Sequence, residues 1–229
     1  MMPYVITLTG ASKCGKSKVI EILHKISKNN TCPDFIPITF QKYTTRAFRD
    51  YEIKSIKNGI ANMLDQRPVV GEYNNNEAWD SEKLEIEKKR AFQKLNCDLA
   101  YEQYGYRYGL RLADLYEHLK KGETPIVILN DVRTVEDIKT KLGGQCFSVY
   151  IFREAPNLER FREEGKKRGE NLETTETRYQ KAMSIYRIYI ENIHIFDKLI
   201  LNIENGTVSL EKILNQLIDY LCKPVVEFR

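Results

Sequence analysis

The chain has 229 residues, 42% of them hydrophobic and 30% charged, with a formal net charge of +4. That length suits one α/β domain with insertions, or a core carrying two small lobes, and the composition excludes wholesale disorder. The charge is too mild to argue for a nucleic acid or a membrane as partner, and no apolar run approaches the length of a membrane span.

The five cysteines, Cys14, Cys32, Cys97, Cys146 and Cys222, are odd in number and include no C-x-x-C pair. Their spacing predicts reduced thiols, with neither a disulfide framework nor a zinc site. The N-terminal stretch lacks a basic region, and its apolar run stops at Gly10, too short for a signal peptide. The expectation is an intracellular, cytoplasmic protein.

Tyr4 to Leu8 is β-rich and bounded by Gly10, which predicts a buried strand. From Gly15 the apolar residues turn to helical spacing, which fades near Asn29, and Phe35 to Phe40 reads as a second short strand. From Lys42 to about Asp98 the chain becomes polar, Asn-rich and Tyr-rich, with one helical stretch near Ser81 to Leu95. This reads as a lobe spanning 42–109, inserted into a core made of 1–41 and 110–229.

Arg111 to Lys121 predicts a helix. Pro125 to Leu129 is a continuous apolar run, as in a strand buried on both faces of a parallel sheet. Val135 to Leu142 is helical, Cys146 to Phe152 a strand, and Asn157 to about Glu164 starts another helix. Gly165 to Asn171 reads as a basic, glycine-containing interruption before a long helix from Thr174 to Asn192. Lys198 to Leu201 is the last core strand and Val208 to Leu221 the closing helix. Alternating strands and helices predict a parallel, doubly wound α/β sheet.

The segment Gly10-Ala11-Ser12-Lys13-Cys14-Gly15-Lys16-Ser17 satisfies G-x-x-x-x-G-K-S between an apolar strand and an amphipathic helix. That context is the one the phosphate-binding loop of nucleoside triphosphatases demands. Its glycines let backbone N–H groups turn inward onto phosphates, the helix adds its positive end, Lys16 reaches the β- and γ-phosphates, and the Ser17 hydroxyl ligates Mg²⁺. After the second strand, Arg46 and Arg49 stand three apart, a pair able to grip a second phosphate bidentately.

These motifs, in this order, resemble the guanylate kinase family of nucleoside monophosphate kinases. Thr44, Thr45, Arg46 and Arg49 match that family's T-T-R-x-x-R, which holds the acceptor phosphate; Tyr108-Gly109 matches the Tyr-Gly pair closing its acceptor lobe. Asn130-Asp131 stands at its acidic strand end. Arg162, Gly165, Arg168, Gly169, Glu173 and Arg178 resemble its R-x-x-G-R-G lid, placed at about 162–178, and Asn202 its asparagine near the donor base.

The resemblance implies a P-loop kinase fold with an inserted acceptor lobe and a helical lid, ATP as donor, Mg²⁺, and a small phosphate acceptor, GMP first. Lys16, Arg46, Arg49, Arg162, Arg168 and Arg178 would neutralise the transferring phosphoryl group. Gly10, Ser12, Lys13, Cys14, Gly15, Lys16, Ser17 and Asn202 would hold ATP; Thr45, Arg46, Arg49, Asp98, Tyr108 and Asp131 the acceptor; Ser17 and Asp131 the metal.

The chain departs from the family in three places. Lys42-Tyr43 replaces the serine before T-T-R, and the strand-end D-x-D is reduced to Asn130-Asp131. The family's base-reading glutamate falls on Leu99, with Asp98 the nearest acid and Glu102 an alternative. The related ribose 1,5-bisphosphokinases are similar at Tyr104 to Gly109 and at Asn130 to Arg133, which leaves a phosphorylated sugar open as acceptor. Arg67 is a rival for the second acceptor arginine. Guanylate-kinase-like modules that bind phosphopeptides commonly lose the loop lysine or lid arginines, whereas Lys16, Ser17, Arg168 and Arg178 are all kept here.

Overall fold

The computed structural model describes residues 4–11, 14–29, 32–48, 53, 57–58, 66–69, 81–103, 105–153, 157–167, 169, 171–202 and 209–222. Five strands form the central sheet: β1 (Val5–Thr9), β2 (Pro37–Thr39), β7 (Thr124–Ile128), β8 (Cys146–Phe152) and β9 (Lys198–Leu201), in the order β2-β7-β1-β8-β9. Every neighbouring pair is parallel.

Side-chain alternation along these strands feeds two cores. Ile6 and Leu8 of β1, with Ile126 and Ile128 of β7, face α1 (Lys16–Lys28) and α7 (Leu210–Cys222), meeting Val19, Ile20, Leu23, Leu214 and Leu217. Val5 and Val127 face the other way, toward α3 (Leu112–Lys120) and α4 (Val132–Leu142), meeting Leu115, Leu119, Val135 and Ile138. Each fully buried aliphatic side chain contributes about 1.5–3 kcal/mol, so helices on both faces are what this sheet requires.

Between β2 and β7 the chain builds a second, four-stranded sheet from segments whose polar sequence hid them. It comprises β3 (Lys42–Thr44), β4 (Gln66–Pro68), β5 (Leu99–Gln103) and β6 (Tyr106–Leu110), in the order β4-β3-β6-β5. Thr44, Tyr108 and Tyr101 lie in register across it. Helix α2 (Ser81–Lys94) covers the opposite face, where a Cβ on Gly109 would lie 2.5 Å from Cys97 Sγ and 2.8 Å from Phe92; the glycine admits that close approach.

Two differences from the sequence expectation stand out. Helix α5 (Leu158–Lys167) runs through Gly165 instead of breaking there. Gly165 is a contact, not a breaker: Thr175 of α6 (Leu172–Glu191) packs where its Cβ would be, and the rings of Phe161 and Tyr179 meet edge-on at 5.8 Å. Also, the cysteines are not all reduced. Cys32, after α1, is disulfide-bonded to Cys222 at the end of α7, and Cys14, Cys97 and Cys146 remain free. Among the described residues, no helix is long and apolar enough to cross a membrane.

Candidate active site

The loop joining β1 to α1 wraps around its own lysine. Lys16 Nζ donates to the carbonyls of Gly10 at 2.8 Å and Ala11 at 2.9 Å, with Cys14 Sγ at 3.8 Å. Gly15 caps α1 at φ 101° with no side-chain hydrogen bond, and the first turn holds no acid. A Cβ on Gly15 would collide with Asn202, so only glycine fits both the dihedral and the space. Helix N–H groups without a side-chain cap, a centred ammonium and a first turn without an acid fit a run of phosphates. Ser12 and Lys13 lie outside the described residues.

Asn202, just past β9, takes a position the sequence did not foresee. Its backbone N–H donates to Phe152 and its side-chain amide to the Cys14 carbonyl at 2.8 Å. It therefore braces the loop between β1 and α1. Ser17 is exposed on the first turn of α1.

The end of β7 lies beside this loop, since Leu129 N–H donates to the carbonyl of Leu8. Asp131 there caps α4, with Oδ2 accepting from the Thr134 backbone N–H at 2.8 Å and its hydroxyl at 2.7 Å. Its neighbour Asn130 accepts from the Tyr189 hydroxyl at its carbonyl, while its buried Oδ1 has no hydrogen-bond partner among the described residues. That orphaned oxygen is a candidate polar contact missed from the sequence; its only signal was its place at the strand end. Among the described residues, no group of three or more His, Cys, Asp or Glu could hold a metal ion.

In the second lobe the Thr-Thr-Arg segment follows β3. Thr45 exchanges hydrogen bonds with the backbone of Arg107, through its own N–H and its hydroxyl. Arg46 is only 6% exposed. Its Nε donates to Gln66 Oε1 at 2.8 Å, its Nη2 to the same oxygen, and its Nη1 to the Ala47 carbonyl at 2.9 Å. Gln66 thus orients this guanidinium, a role invisible without the β3–β4 pairing. Arg49 lies outside the described residues. Tyr108 is buried and stacked on Tyr101 with centroids 5.2 Å apart.

Lys42, on β3 ahead of the Thr-Thr-Arg segment, is 1% exposed. Its ammonium lies 5.6 Å from the Tyr108 ring centroid and donates to the Ile128 carbonyl, joining the lobe to the end of β7. The carboxylates singled out for base reading lie elsewhere. Asp98 is exposed and accepts from the Leu112 N–H at 2.8 Å, at the start of α3. Glu102 is exposed and alternates with Tyr101, on the other face of the strand from Tyr108. Leu99, which takes the glutamate's place, is 4% exposed in the core. Arg67 shares the face of Tyr43, away from Arg46.

Of the lid residues, Arg162 on α5 pairs with Glu176 on α6 at 2.5 Å, and Arg178 is exposed on α6. Arg168 lies outside the described residues. The structure gathers Gly10, Cys14, Gly15, Lys16 and Asn202 at one place, and Thr45, Arg46, Lys42 and Tyr108 at another, with the end of β7 between.

No protein-family model matches the chain, and no curated protein matches it in sequence. Among solved structures, the guanylate kinase from Anaplasma phagocytophilum is similar with a TM-score of 0.53 at 12% identity, covering 98% of this chain and 88% of that one. The likeness is one of fold, and the fold is kinase-like.

Proposed function

We propose that the chain is an ATP-dependent phosphotransferase acting on a small phosphate-bearing acceptor. The observation that carries this reading is the loop between β1 and α1: Lys16 at its centre, the first turn of α1 free of any side-chain cap, and Asn202 bracing the Cys14 carbonyl. We assign residues 1–41 and 110–229 to the donor-binding core and 42–109 to the acceptor lobe.

Phosphoryl transfer asks mainly for positioning and charge neutralisation. In this reading the triphosphate draws Lys16 off the Gly10 and Ala11 carbonyls onto its β- and γ-oxygens. Arg46, oriented by Gln66, and Thr45 and Tyr108 hold the acceptor's phosphate, with Arg49 as second arginine. Arg162 exchanges Glu176 for the transferring phosphoryl group as the α5–α6 hairpin closes and excludes water, joined by Arg168 and Arg178. Mg²⁺ bound by Ser17 and the phosphates, with Asp131 near, would neutralise charge on the transferring group.

GMP is the first acceptor suggested by the family resemblance. A second reading, a phosphorylated sugar, is favoured by one arrangement. Asp98 and Glu102 face away from Tyr108, Leu99 is in the core, and a lysine, Lys42, lies against Tyr108. A guanine needs an acceptor for its N1–H and amine; a sugar phosphate does not.

A panel decides between them. ADP release is measured from ATP with GMP, dGMP, AMP, CMP, UMP, ribose 5-phosphate and ribose 1,5-bisphosphate, beside Lys16→Ala. Turnover with GMP supports the nucleotide acceptor, turnover with a sugar phosphate alone supports the second reading, and none with any acceptor rejects both.

A further inference from the structure

Along the outer edge of β2 runs a cavity of about 590 Å³, within the size range of small-molecule sites. It does not include the phosphate loop, Thr45, Arg46 or Tyr108, because Tyr43 points to the opposite face of β3 from Lys42 and Thr44. One wall belongs to the core: His24 of α1, Thr39 of β2, and Asp114, Glu117 and His118 of α3. The α3 residues share a helix face through their i, i+3, i+4 spacing. The other wall belongs to the second lobe: Tyr43 and Arg67. The two-residue connection Phe40-Gln41 runs between them.

The charges in this cavity are arranged unusually. Arg67 lies over the Tyr43 ring, 5.8 Å from its centroid, and makes no ion pair among the described residues. Glu117 likewise makes none. Asp114 is already engaged, accepting from the Tyr43 hydroxyl at 2.9 Å and lying 3.6 Å from Arg111. A cation from one lobe and a carboxylate from the other thus line one space without meeting. Among the described residues each histidine engages one ring nitrogen: His24 Nε2 is bonded to the Thr39 hydroxyl and His118 Nδ1 to Glu123.

We propose that this junction cavity binds a small molecule carrying both an ammonium and a carboxylate, such as a free amino acid, and that its occupancy sets how the second lobe sits on the core. Arg67, held flat by Tyr43, is preoriented for a carboxylate, and Glu117 accepts the ammonium. An anion alone would face the Glu117 carboxylate with no cation between them; a cation alone would leave Arg67 without a carboxylate. Only a zwitterion satisfies both walls. Because the walls belong to different lobes, a bound molecule bridges them, and its binding energy couples to acceptor affinity. That coupling rests on the proposed phosphotransfer; the binding itself does not.

The test is calorimetric titration of the full chain with each proteinogenic amino acid, with the N-acetylated and amidated forms of any binder, and with inorganic phosphate. One or more amino acids should bind, and Arg67→Gln, Glu117→Gln, N-acetylation and amidation should each weaken binding by about tenfold. Both substitutions are on exposed side chains, and circular dichroism checks that they leave the fold intact. No binding up to about 10 mM, affinity unmoved by both substitutions, or inorganic phosphate binding as tightly would overturn the proposal. In the ADP-release assay, the bound amino acid should shift the KM for acceptor and spare that for ATP. Binding without that shift overturns the coupling, and a chain that transfers phosphate to no acceptor rejects the proposed function while the titration still decides the site.

Discussion

The side-chain amide of Asn202 donates to the carbonyl of Cys14 at 2.8 Å, across 188 residues of chain. The last strand of the sheet thereby holds the phosphate loop in shape. An amide–carbonyl hydrogen bond contributes about 1 kcal/mol net, so on the proposed function Asn202→Ala should weaken nucleotide binding by about fivefold. Titration with a fluorescent ATP analogue measures this; an affinity equal to that of the parent chain rejects the bracing role.

Lys16→Ala removes the ammonium that the loop encloses. On the proposed function, kcat/KM should fall by about 10²- to 10³-fold, the cost of losing one donor at developing charge. The melting temperature should scarcely move, since among the described residues Lys16 bonds only its own loop and not the sheet. Steady-state ADP release and a thermal melt on the same sample separate the two effects.

The Cys32–Cys222 disulfide closes a loop across 190 residues. Cross-links over long loops stabilise by about 2–5 kcal/mol, so Cys32→Ser should lower the melting temperature by roughly 5–15 °C in a chain of this size. Thiol titration of the denatured, unreduced protein should count the three free cysteines, Cys14, Cys97 and Cys146. A count of five would show the bond unformed.

Asp197 carries a pH dependence of stability. Partial burial pushes its carboxyl up, but the Ser148 N–H, the Lys139 ammonium and the Ser148 hydroxyl outweigh it and hold the group below its ordinary 3.8. A depressed carboxyl stabilises the fold above its unfolded pKa, and that contribution is lost as pH falls through the folded one. Asp197→Asn should therefore melt a few degrees lower at neutral pH, and the gap should close below about pH 4. A gap that persists in acid points to lost packing instead.

The sequence exposed the core because strands buried on both faces read as unbroken apolar runs, as in Ile126 to Leu129 and Val149 to Ile151. It hid the second sheet because β3 and β4 are three residues each and carry Lys42, Gln66 and Arg67, so no alternation develops. The loop glycines and Lys16 were legible because their chemistry is local in sequence. Asp98 was not: only the fold brings the first N–H of α3 to its carboxylate. Gly165 was misread as a breaker because the reason for it, Thr175, lies on another helix. The pairing of Cys32 with Cys222 leaves no trace in spacing at all.

Strands β2 and β7 are hydrogen-bonded neighbours, with Thr39 opposite Ile126, yet the whole second lobe is threaded between them. The excursion leaves and rejoins the core at adjacent strands. Its interior can lengthen, shrink or be exchanged with little demand on the sheet, while the phosphate loop on β1 stays as it is. A fold wired this way is a socket: one fixed half, and a plug-in half that descent, or a protein engineer, can remodel.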